Sequence, residues 1–322
     1  MNSIKGFIYG ISTAVTFGLI PLFTLPLMQE GMQYDSILFY RFLFASLALG
    51  ILMKAKRIPF RIERRDIPFL ILLGFFYTIS SMFLFWGYSF MSAGIATTIH
   101  FTYPIFVTLI LGIFFHEKVS AVTWIAIVLA ISGVARLSID GDELQFAAVG
   151  IIIVVLSAVG YASYITFVNK SRIKNMPGWK LAFYVFIVST LLFALKAMTN
   201  QGIQPIQNGY KCMNLLLLAL VPTIVSNITL VQAVQNIGGT LTSILGAFEP
   251  LTAMLVGVLF FHEPFTPEYG LGIIFIVSAV TLIILSQSIV ENNRPSSWKR
   301  LLYPRMIKNK ILSHFRKNKR NI

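Results

Sequence analysis

"HFTYPIFVTLILGIFFHEK" (residues 100–118) and "GAFEPLTAMLVGVLFFHEP" (246–264) align without a gap at an offset of 146 residues. Pro104 falls on Pro250, and FFHE at 114–117 falls on FFHE at 260–263. Two apolar helices align easily by chance. A shared FFHE at the register set by a shared proline is a far more demanding match. The register continues to Ser132 over Ser278 and Val134 over Val280. Nearer the start, "GFIYGISTAVTFG" (6–18) lies over "GIIIVVLSAVGYA" (150–162) at an offset of 144, so a short insertion separates the two blocks. The chain reads as two copies of one unit.

The solvent for those units is lipid. The 322 residues are 56% hydrophobic and 12% charged, whereas a soluble domain carries about 25% charged residues. Apolar runs of about 20 residues, the length that crosses a bilayer, recur at 6–28, 35–53, 67–86, 94–115, 119–138, 147–168, 180–199, 212–232, 240–261 and 268–288. The first is too long for a cleaved signal and reads as a retained span. The expected fold is an all-α integral membrane protein: ten transmembrane helices in two five-helix repeats around a central cavity. The repeats cover 1–139 and 140–290, with a basic tail at 291–322. Five is odd, so the second repeat inserts upside down. Inverted repeats around a midplane site are the architecture of secondary transporters.

The net charge of +14 follows the same plan. With the N-terminus in the cytoplasm, 22 of the 26 basic residues lie on the cytoplasmic side: Lys5, residues 54–66, Lys118, residues 170–180 and the tail. The positive-inside rule therefore places both termini in the cytoplasm, at the plasma (inner) membrane, and the charge implies no nucleic acid. The tail either lies against anionic lipid, at about 1 kcal/mol per basic residue near the surface, or is a solvated segment that reinforces orientation. Cys212 is the lone cysteine, so an internal disulfide and a cysteine metal site are excluded. No phosphate-binding loop is present. Pumping by ATP within this chain is thereby excluded, and no cofactor is expected.

The polar residues inside the spans carry the functional reading. Glu249 stands mid-span, where a carboxylate costs about 2.5–3.5 kcal/mol by insertion scales. Pro250 beside it removes a backbone hydrogen bond and is expected to leave the Gly246 carbonyl without its partner. Glu249 is either a coupling or substrate-binding group or a protonated structural one. His100, with Tyr103 beside Pro104, occupies the matching level in the first repeat. Imidazole suits a proton relay, and a hydrogen-bonded structural histidine is the alternative. Arg41 attracts an anionic group, pairs with Asp35, or anchors its helix by snorkelling. Ser12 and Thr16, Tyr77 and Ser81, Ser157 and Tyr161, and Thr223 and Asn227 each share a helix face one turn apart. Trp86, Tyr88 and Tyr164 add aromatic surface. A cavity of hydroxyls and rings with one acid suits a small, partly apolar solute such as an amino acid. The duplicated His-Glu pairs at 116–117 and 262–263 fall at opposite faces and cannot share a metal ion, so each Glu is read as a helix-end or loop-bonding group.

The doubled unit, with FFHE closing spans 4 and 9 and Glu-Pro in span 9, resembles the EamA-type branch of the drug/metabolite transporter superfamily over residues 5 to about 288. Phe17–Gly18 stands where that family often has Trp-Gly, and Arg41–Phe42 where it often has Arg-Phe. The resemblance implies a ten-helix carrier exporting amino acids or other small metabolites without ATP. Two other classes are weighed against it: a membrane-embedded enzyme acting on lipid-linked substrate, and a non-transporting sensor with a carrier fold. The enzyme reading lacks a cluster of Asp, His or Lys at one face, so no catalytic residues are assigned. The sensor would bind ligand without flux.

Overall fold

A computed structural model describes residues 3–116, 121–137, 144–199 and 202–292. Glu117, Lys118, much of the loop around 140 and the basic tail lie outside them. The described chain divides into two compact units at residue 284, the second beginning at Leu285. The architecture below is that of the first.

Among the described residues every regular element is helical. The first span is α1 (Ser3–Gly18) followed by α2 (Ile20–Gln29), then come α3 (Tyr34–Ala55) and α4 (Ile67–Gly87). The fourth span is split into α5 (Ala93–His100) and α6 (Tyr103–Phe115), followed by α7 (Ala121–Leu137). The second repeat holds α8 (Leu144–Lys170), α9 (Gly178–Met198), α10 (Gly209–Ala219), α11 (Ser226–Leu245), α12 (Phe248–Phe261) and α13 (Pro267–Asn292). Among the described residues eight helical stretches are long and apolar enough to cross a membrane, and α7 and α12 are shorter apolar helices. Together they make the ten spans. Ile113, Phe114, Trp124, Ile125, Val128, Leu255, Leu259 and Ile274 are exposed, a surface that only lipid solvates without penalty.

Helix pairing reveals the inverted repeat directly. α1 packs along α11, and its repeat equivalent α8 packs along α4. α6 packs on α8 as α12 packs on α1. Two further seams, α3 with α9 and α5 with α12, join equivalent spans of the two repeats and so lie on the pseudo-two-fold axis.

Local chemistry explains where the helices break. Pro104 sits in the first turn of α6, a position where its missing N–H costs nothing, so the helix restarts after Phe101–Thr102. Ser92 caps α5 by accepting the Ile95 N–H at 3.3 Å. In the second repeat the break falls at 246–247, and the Gly246 carbonyl accepts the Glu249 N–H at 2.9 Å. The expectation of an unpartnered carbonyl at Gly246 is therefore corrected, because a tighter turn replaces the bond that Pro250 removes. Both FFHE motifs end their helices in the same way, with His116 and His262 in the left-handed region at φ 54°.

The repeats differ at one reversal. Between α4 and α5 residues 88–92 form a non-helical turn. The equivalent residues of the second repeat remain helical within α11. Contacts with α1 nevertheless reverse there: Thr13 meets Thr229, Gly6 faces Ile237, and Gly10 faces Leu245. The chain doubles back after Ile237, so α11 carries the end of span 8 and the start of span 9.

Candidate functional site

A cavity of about 150 Å³ lies where the repeats meet. Seven residues expected at a site line it together: Arg41 from α3, Tyr77 and Ser81 from α4, His100 from α5, Tyr103 from α6, Tyr161 from α8 and Glu249 from α12. Thr13, Phe17, Ser80, Leu230, Thr242 and Gly246 complete much of the wall. Gly18 brings α1 against the strand of chain that holds the acid. A Cβ at Gly18 would stand 2.6 Å from the Glu249 carbonyl oxygen, closer than any side chain permits.

Arg41 is buried and turns inward. Its Nε donates to Thr223 Oγ1 at 2.9 Å, and its guanidinium lies over the rings of Phe42 and Phe85 at 5.4 and 5.6 Å. Thr223 is positioned by a local backbone defect. Pro222 has no N–H to offer the Leu218 carbonyl, the chain forms a π-helical turn over Leu220–Val225, and the Thr223 hydroxyl donates to Leu218 O at 2.9 Å instead. The same oxygen then accepts from Arg41. Asp35, the sequence candidate for an ion pair, instead takes the Ser36 N–H at 2.8 Å. A buried charge needs partners of this kind, and the partner here comes from the other repeat.

The histidine and the tyrosines form a connected group. Tyr103 and Tyr161 meet edge to face at 4.8 Å between centroids. His100 lies 5.5 Å from Tyr161 and 6.0 Å from Tyr103. Tyr164 joins Tyr77 to Tyr161 at 5.1 and 6.0 Å. Ser157 is fully buried behind His100; its Oγ donates to Ser80 O at 2.6 Å and lies 3.0 Å from His100 Nδ1.

Other sequence candidates fall elsewhere. Asn227 lines a second, mostly apolar cavity of about 250 Å³ with Tyr164, Trp179, Thr223 and Val231; Leu230 borders both cavities. Trp86 is partly exposed and packs against Phe83 and Phe90, away from both. Thr16 turns its hydroxyl back to Ser12 O, and the neighbouring Thr13 lines the cavity. Among the described residues no group of three His, Cys, Asp or Glu could hold a metal ion.

This geometry agrees with what the chain is similar to. The model of the EamA-like transporter family matches residues 4–139 and again 148–285. The uncharacterized transporter YdfC of Bacillus subtilis is 23% identical over 73% of this chain and 76% of its own length. YxxF of the same organism, also an uncharacterized transporter, is 24% identical over 85% of this chain and 88% of its own. The uncharacterized transporter sll1319 of Synechocystis is 26% identical over 65% of this chain, and the match spans 64% of that relative's length. A solved crystal structure 13% identical in sequence superposes with a TM-score of 0.65 over 90% of this chain and 98% of the other, a likeness of fold. The chain is an integral membrane protein and belongs to the EamA-like transporter family.

Proposed function

We propose that the protein is a secondary carrier that exports small metabolites such as amino acids by alternating access, with Glu249 as the coupling group. The observation that carries the reading is the meeting of Arg41 and Glu249 on one cavity wall. Arginine keeps its charge under all physiological conditions and attracts a carboxylate. A carboxylate at Glu249 holds either a proton or a solute ammonium, and the two compete for one site. Release of one as the other binds is exchange coupling. The volume of about 150 Å³ matches a cavity that holds a benzene ring, so the solute's buried part is small and partly apolar, in keeping with the phenol-rich wall.

The sidedness of this reading rests on the charge pattern, which assigns the N-terminal end of α1 to the cytoplasm of the plasma (inner) membrane. Gly10 and Val234 carry the cavity wall toward that end. At the opposite end Glu263 Oε1 accepts the Ala93 N–H at 3.1 Å, tying the loop after α12 to the start of α5.

The test is reconstitution in liposomes loaded with a pH-sensitive dye and a pooled set of amino acids, with Glu249→Gln alongside. Solute-dependent proton movement is expected in the wild type and none in the variant, which remains folded. Equal proton-coupled flux by the variant removes Glu249 from the mechanism. Equal solute flux without a pH change makes the protein a uniporter.

A further inference from the structure

The Ser157 hydroxyl has one proton, and its two close neighbours decide where that proton goes. The Ser80 carbonyl oxygen, 2.6 Å away, can only accept. The proton is therefore committed to it, and the 3.0 Å contact with His100 Nδ1 must be donated by the ring. Imidazole with its proton on Nδ1 carries a lone pair on Nε2. Ser157 and the Ser80 carbonyl fix the ring from behind, while His100 itself lines the cavity.

We propose that Ser157 locks His100 in the Nδ1–H tautomer, so that Nε2 presents the cavity with an obligatory hydrogen-bond acceptor. The solute must then carry an N–H or O–H donor in addition to an anionic group for Arg41. The inference rests on the transport function proposed above and narrows its substrate class: solutes that only accept hydrogen bonds, such as simple dicarboxylates, are rejected. His100 is a binding group and Ser157 its positioning residue.

The same geometry blocks a relay that passes through the ring from Nε2 to Nδ1. A proton arriving at Nε2 would give imidazolium. Its Nδ1 proton could leave only to Ser157 Oγ, whose own proton would have to pass to a peptide carbonyl. That carbonyl passes it no further, so the path ends at Ser80.

Two measurements on the full-length protein in bilayers test this. Nitrogen-15 NMR of labelled histidine reads the tautomer; the chain has four histidines, and His100→Gln identifies the resonance. The expected spectrum has Nδ1 protonated and Nε2 bare, Ser157→Ala converts it to a tautomer mixture, and Ser157→Thr restores it. A protonated, neutral Nε2 in the wild type overturns the proposal, whether or not any solute is transported. The second measurement is flux. Glutamine places an amide oxygen near the Nε2 position and cannot titrate, so His100→Gln should raise the half-saturation concentration about threefold, and His100→Leu about tenfold, the worth of one hydrogen bond. Ser157→Ala should raise it without lowering the maximal rate. Loss of flux in His100→Gln as complete as in His100→Leu would mean that the ring must titrate, and the acceptor role falls. A wild type that moves no solute, with the Nδ1–H spectrum intact, refutes the transport function and leaves the tautomer lock standing.

Discussion

The two seams on the pseudo-two-fold axis are built oppositely. Where α3 meets α9, Phe42 stacks on Phe193 at 5.8 Å and lies 5.5 Å from Phe186, all three buried. Both ends of that seam are sewn down. At one, Tyr184 and Lys180 bond the Phe60 and Arg61 carbonyls. At the other, Tyr40 donates to Gln204 O at 3.1 Å and the Gln204 N–H to Ser36 Oγ at 3.1 Å. Where α5 meets α12 the partners are half-helices of 8 and 14 residues, each preceded or followed by a backbone break. Gly94 approaches the Met254 backbone, and Glu263 supplies a tie at one end. One seam is a strut. The other has the short, interrupted helices from which moving parts are drawn.

The largest test of this contrast is Phe42→Ala. Removing a buried aromatic ring costs about 3–5 kcal/mol, so the detergent-solubilised protein should melt far earlier. A variant with altered transport kinetics and an unchanged melting temperature would reverse the assignment of the strut. The other seam is probed by Glu263→Ala, which leaves the Ala93 N–H without its acceptor at about 1–3 kcal/mol; Glu263→Gln keeps an oxygen there and should melt close to the wild type. Burial pushes the Glu263 carboxyl up, opposed by the Ala93 N–H bond. The folded protein therefore holds this proton to higher pH than the unfolded chain does. Its contribution to stability falls as pH rises from the ordinary carboxylate range through the raised value, and a melting series in Glu263→Gln should lose that slope. The smallest effect belongs to Arg172→Ala. Its ion pairs are with Glu63, which is solvated, and with the mostly covered Asp66 at 2.8 Å; with the arginine itself partly exposed, they are worth about 0.2–1 kcal/mol and are weakened by salt. A larger loss there than at Phe42 would mean that the loops, not the ring stack, hold the strut.

Much of this was legible in the residues. Run length gave the spans, the shared register of Pro104 and Pro250 gave the repeats, and repeat symmetry brought His100, Tyr103 and Glu249 to one level. What escaped depends on distance or on facing. Arg41 finds its acceptor 182 residues away, on a turn reshaped by Pro222, and no local pattern couples those positions. Thr13 lines the central cavity while Trp86 and Asn227 lie off it, a distinction the residues alone do not make, because a membrane helix is apolar on every side and periodicity does not say which face meets the cavity. The FFHE motif proved architectural at 260–263: the histidine turns the chain left-handed and the glutamate reaches the neighbouring helix.

The unequal reversals, an open turn at 88–92 and a helical corner in α11, break the two-fold relation between the repeats. Two conformers generated by exchanging the repeats would be equal in free energy only if the repeats were interchangeable, and here they are not. On the transport function proposed above, a carrier so built favours one face at rest, and half-saturation for the solute is expected to differ between the two sides of the membrane. Detailed balance limits what that asymmetry achieves. With no gradient, the ratio of maximal rate to half-saturation must be the same in both directions, so the crooked symmetry sets how readily each face binds and never which way solute accumulates.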